Sequence, residues 1–578
     1  MKLSASLLTL STPALAAVLS TPWDGPLQHV IGGRPSVHSD ADIVSGAAAG
    51  ASDFACDLPP PVAPDTDGLP SAHDLFGSPE ALALQVRRHA ALVSVPSVSY
   101  DAMEDVGKDP RWDIFYEFED TLKKQFPTVF RRAELTHVNT HGLVFFIQGS
   151  KKDLKPLMLT AHQDVVPVPD PSAWKYPPFS AHYDGSWLWG RGSVDDKNSL
   201  TGLMSVVETL LQNATWTPRR SILLAFGFDE ESSGKYGAGS IAKYLEDTYG
   251  PESMVLLLDE GGSGIESVKD KDGKEIVYAV PAVMEKGHVD ILYELHVRGG
   301  HSSMPLPHTG IGIAAEMIST LENNPYSPKL VGGSPLHQLS VCRARYTPEQ
   351  DPQSTKLVRE GDLDALAQLL SSYSPALDFQ LRTSQAVDII NAGLKINAMP
   401  EKIEIGVNYR VAPHNSLAEV KERSIELLQP ILDKYQITLK AFGKDAVLPN
   451  PVKKNDNEIR AAYAVDYNAT LIVQSRQETE VARVSPTSGG VWDLFSGTIQ
   501  HTFAVPDGQV VPVGSIMNGN TDTRHYVNLT SRIYRWVPVR QSWVQRMHAI
   551  DEGLNMEAHM ETVRFYYNLI RNFDQSDL

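Results

Sequence analysis

Apolar residues along this chain fall into two kinds of run. Leu157–Ala161 (LMLTA), Ser221–Phe228 (SILLAFGF) and Met254–Asp259 (MVLLLD) are continuous, strand-length and without a polar face. They predict strands buried on both sides. Leu143–Gln148 reads as a further strand. Between them lie segments with apolar positions at helical spacing. One follows Ser78-Pro79-Glu80, where a Ser before Pro marks a helix start, and continues as ALALQVRRHAALVSV. Others cover Asp113–Gln125, Asp195–Asn213 and Ile241–Glu246. Strands alternating with helices predict an α/β sheet with helices on both faces.

From about His288 the pattern changes. VDILYELHVRGG alternates apolar and polar residues, as a half-exposed strand does. A helix is expected near Gly312–Glu322. After a charged insertion at Tyr346–Gln380, EIGVNYRV reads as a strand, LAEVKERSIELLQPILDKY as an amphipathic helix and ITLKAF as a strand. This predicts a smaller α+β domain, 288–445, inserted between two parts of a larger domain, 78–287 and 446–578. Residues 21–77 are rich in Pro, Asp and Gly (DLPPPVAPDTDGLP) and are expected to form a flexible leader. Residues 1–20 carry Lys2, a short apolar run and an Ala14-Leu15-Ala16 cleavage pattern, which predicts a secretory signal peptide.

Composition narrows the function. The net charge of −19 leaves no basic face for a nucleic-acid partner. Asn-x-Thr sequons at Asn213, Asn468 and Asn528 fit a secretory route, to a vacuolar lumen or the medium, with no membrane span left after processing. The two cysteines, Cys56 and Cys342, could pair there, which sequence cannot decide. They are too few for a thiolate metal site, so a metal here must use imidazole and carboxylate.

Such residues recur at the ends of the predicted strands. In LTAHQDVVPVP, His162 and Asp164 lie two apart and share a face. A carboxylate beside a His is a common partner of a metal-binding imidazole. WGRGSVDDK, FGFDEESSG, LLLDEGG and NGNTDTRHY bring further acids and a second His to strand ends or tight loops. Adjacent Glu230 and Glu231 allow one carboxylate to ligate while the other acts as a base. Asp195 could bridge two ions through its two oxygens.

With RGGHSSMP and INAMPE, these motifs run in an order that resembles the M20 family of metallopeptidases, and within it the fungal carboxypeptidase S group, from about residue 78 onward. The resemblance implies a zinc-peptidase-like α/β catalytic domain with an inserted α+β lid or dimerisation domain. It implies two Zn2+ per chain. His162 and Asp259 would hold one ion, Glu231 and His525 the other, and Asp195 would bridge them across a cis Asp195–Asp196 peptide. Asp164 would orient His162, Glu230 would be the general base, and His301 would reach the developing oxyanion. Asn397 and Arg410 would recognise the substrate carboxylate or adjacent backbone. The implied activity is that of a metallocarboxypeptidase releasing the C-terminal residue of short peptides through a metal-activated water. An N-acyl amino acid hydrolase or synthase would use the same site, and a single metal would permit related chemistry. A non-catalytic secreted binding glycoprotein on the same fold would be expected to lack a ligand or the base. A homodimer through the inserted domain is a further implication.

Overall fold

The computed structural model describes residues 54–64, 66–444, 446–450 and 465–578. The expected signal peptide and the first part of the leader lie outside them. The continuous apolar runs become the middle of an eight-stranded sheet. Its first strands are β1 (Glu134–Val138), β2 (Gly142–Ile147), β3 (Leu157–His162), β4 (Ile222–Gly227), β5 (Leu256–Asp259) and β6 (Ala282–Glu285). A second sheet follows: β7 (Gly287–His296), β8 (Ser384–Ala392), β9 (Lys402–Val411), β10 (Thr438–Ala441) and β11 (Thr470–Thr479). The chain returns to the first sheet with β12 (Ser515–Met517) and β13 (Ile533–Arg535). The strand order is β1-β2-β4-β3-β5-β13-β6-β12 in the first sheet and β8-β9-β7-β11-β10 in the second.

In the first sheet β4, β3, β5 and β13 run parallel, so their carboxyl ends share one edge. β3 and β4 are buried along their whole length. Helices Pro79–Val93, Lys197–Gln212 and Met556–Gln575 pack over one face in the largest apolar cluster, and Ala238–Tyr249 covers the other. The Pro79–Val93 helix starts as its sequence predicts, with the Ser78 side chain accepting from Ala81 N–H. In the second sheet β7 buries every second side chain, and helices Gly310–Glu322 and Leu417–Tyr435 cover the buried face. This is the mixed α/β architecture that the sequence predicts.

Two boundaries differ from expectation. Thr470–Thr479 pairs antiparallel with β7 in the second sheet, so the return to the first sheet falls after 479 and not at 446. The short apolar start of TLIVQSRQET is followed by polar residues, which hides the strand. Residues 54–77, expected to be flexible, are docked where described. Arg571 donates to the Asp67 carboxylate and to the Pro64 and Pro70 carbonyls, satisfying a segment poor in its own secondary structure. Helix Ala72–Phe76 places Phe76 edge-on to Tyr567, with ring centres 5.5 Å apart. A Cys56–Cys342 disulfide, with Cα atoms 5.2 Å apart, fastens this segment to helix Pro335–Tyr346. The charged insertion is helical, and its Leu366 and Ala367, with Leu381 just past its end, pack on Met284 of β6 and Ile516 of β12.

Candidate metal-binding active site

Asp164, just beyond β3, organises the centre. It is fully buried. Its carboxylate accepts from the N–H groups of Glu230 and Glu231, both at 3.1 Å, and from Ser99 Oγ at 2.6 Å. Its carbonyl oxygen lies 3.0 Å from His162 Nδ1. One residue, by its side chain and its main-chain carbonyl, therefore fixes the turn after β4 against the imidazole at the end of β3. That contact directs His162 Nε2 toward the acids.

Asp195 lies between two imidazoles. Its Oδ1 is 2.9 Å from His162 Nε2, and its Oδ2 is 3.0 Å from His548 Nε2. Each imidazole also faces a second acid: Glu260 Oε1 at 3.5 Å from His162, and Glu231 Oε1 at 3.2 Å from His548. The Asp195–Asp196 peptide is cis. The loop that carries it is held by Glu552, which accepts from Val194 N–H at 2.9 Å and from Arg191 Nη1 at 2.5 Å.

Five carboxylates, Asp195, Asp196, Glu230, Glu231 and Glu260, surround two imidazoles. Burial first, then the Asp195 carboxylate, pushes Glu231 up to about 7. Burial and the Asp195 and Asp196 charges hold Glu260 well above the usual carboxylate range. Glu230 is raised by burial and by Asp522 and Glu231, against the opposing charges of His162 and Arg524. Burial disfavours charge on His162, but Glu260, Asp164 and Asp195 outweigh it and raise its pKa. Hydrogen bonds to Asp195 and Glu231 push His548 up to about 10. Nitrogen and oxygen donors with this excess of negative charge suit divalent cations. His162 lies within 4.8 Å ligand-atom spacing of Asp196 and Glu260, and likewise of Asp195 and Glu231.

Two expected ligands, His525 and Asp259, make no ion pair with these imidazoles or acids among the described residues. His525 Nε2 bonds the Ser233 carbonyl at 2.9 Å, bracing the turn after Glu231. His548, which the sequence analysis did not single out, is the imidazole that meets Asp195 and Glu231. Asp259 ends β5, while its neighbour Glu260 faces His162. Asp259 is itself buried and feels the His162 charge, but it makes no ion pair with that imidazole, whereas Glu260 does. The sequence signals for the missed residues are RMHAIDEG, a His four residues ahead of the buried Glu552, and the DE pair itself.

The remaining candidates separate. Arg410, on β9, donates from Nη1 to Asn520 Oδ1 at 2.9 Å. The Glu230 charge acts on it, and Arg524 Nη2 lies 3.9 Å from Glu230 Oε1. Arg524 thus stands beside Glu230, and Arg410, bonded to Asn520, lies within reach of its charge. Arg524 and Asn520 were not singled out from sequence, although both lie within NGNTDTRHY. His301 and Asn397 are exposed and lie together on a short ribbon, Gly300–His301 paired with Ala398–Met399. His301 Nδ1 bonds Ser303 Oγ at 2.7 Å, and no contact joins either residue to the acid cluster among the described residues.

Residues 158–572 match the family model described as peptidase family M20/M25/M40. Carboxypeptidase S of Saccharomyces cerevisiae is 36% identical over 84% of this chain and 83% of that protein. The N-fatty-acyl-amino acid synthase/hydrolase PM20D1 of Mus musculus is 29% identical over 86% of this chain and 89% of that protein. The solved structure of a di-peptidase from Saccharomyces cerevisiae shares the fold, with a TM-score of 0.58, 10% identity, and 88% and 99% of the two chains covered.

Proposed function

The chain belongs to peptidase family M20/M25/M40 and is a hydrolase, and we propose that it is a two-zinc exopeptidase that releases the C-terminal residue of short peptides. The observation that carries this reading is Asp195, whose two oxygens each face a separate imidazole–carboxylate pair. His162, Asp195 and Glu260 would hold one ion; His548, Asp195 and Glu231 would hold the other. When bound, such a pair supplies the Lewis acidity that makes water nucleophilic near neutral pH and stabilises charge on the attacked carbonyl.

The protein's own groups supply the rest. Glu230 is anchored through its N–H by Asp164 and is not among the ligands, which leaves its carboxylate free as general base. Its raised proton affinity suits it to take a proton from the attacking water and return it to the leaving amine. Arg410, Arg524 and Asn520 would receive the substrate's free carboxylate, a task for which a guanidinium fork is well shaped. That recognition makes the enzyme exo-acting. His301, on its exposed ribbon, would reach the oxyanion only after closure of the second-sheet domain. Asn397 would follow the same movement.

A second reading, hydrolysis or synthesis of N-acyl amino acids, draws on the PM20D1 similarity and uses the same groups. The disulfide supports an oxidising compartment, and sequons Asn468 and Asn528 are exposed, consistent with a secretory route to a vacuole or the medium. Among the described residues no helix is long and apolar enough to cross a membrane. Edge strand β8 exposes Ile389 and Ile390, a surface suited to a homodimer through the second-sheet domain.

The test is metal content and turnover together. His548→Ala should lower bound metal and abolish hydrolysis, whereas His525→Ala should keep its metal. Full metal in His548→Ala, or loss confined to His525→Ala, would refute the ligand set. A peptide with a free carboxylate, its C-terminally blocked form and an N-acyl amino acid, each with and without chelator, would separate the two substrate readings.

A further inference from the structure

His548 also borders a cavity of about 440 Å³ that neither of its acid partners, Asp195 and Glu231, lines. This volume lies within the usual range of small-molecule sites, roughly 300–1,000 Å³. Its walls are mainly apolar, with Asp170, Arg191 and His548 the polar exceptions. Val166 and Pro167 follow the turn after β3, Trp174 lines it with them, and Ala549 and Ile550 come from the loop that presents His548. Trp174 is held in place by the Arg191 guanidinium, 5.2 Å from its ring centre, and Arg191 is itself fixed by Glu552. Ile550 is 43% exposed and does not join the core. A loop that carries a polar site residue yet offers apolar side chains to an open cavity is shaped to receive an apolar group.

The occupant follows from where the charges stand. Arg524 stands 3.9 Å from Glu230 and Arg410, bonded to Asn520, feels the same charge, whereas the cavity is bordered by His548, which meets Glu231. A substrate whose free carboxylate meets the arginines carries that carboxylate on its leaving amino acid. The acyl half of its amide is then left to face His548. We propose that this cavity binds an apolar substituent on the acyl side of the scissile amide, and so selects substrates with a large aliphatic or aromatic group there. The assignment rests on the metal-hydrolase reading above. An apolar residue of a peptide and a fatty acyl chain offer the same chemistry to these walls, and the substrates below separate them.

The experiment compares kcat/KM of the metal-loaded protein for three substrates with one leaving amino acid: its N-acetyl derivative, its N-dodecanoyl derivative, and an N-acetylated dipeptide with Leu before the scissile bond. The wild type should prefer at least one apolar substrate over N-acetyl by about tenfold or more, the scale a hydrophobic pocket gives. Which one it prefers identifies the source of the apolar group. Ile550→Asp, which adds charge to the wall, and Ala549→Trp, which fills the space, should each shrink that preference to within about threefold. The readout is a ratio, so a general loss of activity leaves it interpretable. Equal rates on all three substrates by the wild type, or variants that lower all three by one factor, would overturn the proposal. Failure to cleave any of them would overturn the hydrolase reading itself and the pocket with it, a result distinct from cleavage without preference.

Discussion

Glu552 ties together the two loops that supply Asp195 and His548. It is fully buried, and its partner Arg191 is 3% exposed. Its side chain accepts from Arg191 Nη1 and from Val194 N–H, and its carbonyl oxygen accepts from Gly190 N–H at 2.9 Å. Replacing it with Ala removes the carboxylate and leaves a guanidinium enclosed without its counter-charge. Breaking a buried pair in this way costs about 3–5 kcal/mol, much of it the exposed penalty of the surviving charge. The Val194 N–H loses its acceptor as well, and the two losses fall on one short loop and do not simply add.

A chain of this length need not unfold in one step, so the loss is best read locally. Hydrogen exchange of the segment 190–197 should speed up by about a hundredfold or more in Glu552→Ala, since each 1.4 kcal/mol is worth about a factor of ten. Metal affinity should fall by about 10–100-fold, as for other residues that hold a ligand in place. Glu552→Gln retains an acceptor for Val194 and should lie between wild type and Ala. The double variant Arg191→Met/Glu552→Leu, which removes both charges, should recover most of the protection. If Glu552→Ala moved exchange no more than the exposed-site change Glu557→Ala, or if the double variant were worse than both single changes, the buried pair would not be what fixes this loop.

Other changes probe the remaining parts. Glu230→Ala should reduce turnover by at least a hundredfold while metal content, read by elemental analysis, stays near wild type; loss of metal would make Glu230 a ligand instead of a base. Arg410→Met should raise KM about tenfold or more for free peptides and leave the poor turnover of blocked peptides nearly unchanged. Cys56→Ser should cost about 2–5 kcal/mol and open residues 54–77 to limited proteolysis, an effect that reductant should reproduce in the wild type. As pH falls below 6.5 the buried histidines should withdraw stability: burial lowers His89 to about 4 and holds His559 well down, so the unfolded chain takes up protons that these two refuse, while the raised Glu230, Glu231 and Glu260 act in the opposite direction. For His89 alone the loss should reach about 3 kcal/mol by pH 4, and His89→Gln should flatten the slope of stability against pH in this range.

What could be read in advance divides along a physical line. The buried parallel strands were legible because a strand enclosed on both faces must be continuously apolar, and β3, β4 and β5 are. Helix Leu417–Tyr435 was legible to the residue, since its apolar spacing and its Ser416 capping box agree. β12 and β13 are three residues each, too short for any periodicity to register. The docked segment 54–77 has the composition of a disordered one and is ordered by groups 500 residues away in sequence, such as Arg571. The site divides in the same way. His162, Asp164, Asp195, Glu230 and Glu231 lie at or just beyond the ends of regular elements, where direction follows from the backbone. His548 stands on an irregular loop at φ 59°, a conformation that no hydrophobic pattern announces. Its direction is set by Asp195 and Glu231, which it meets only in the folded chain. Glu260 stands in the bend just past β5, beyond the reach of the strand pattern that made Asp259 a candidate.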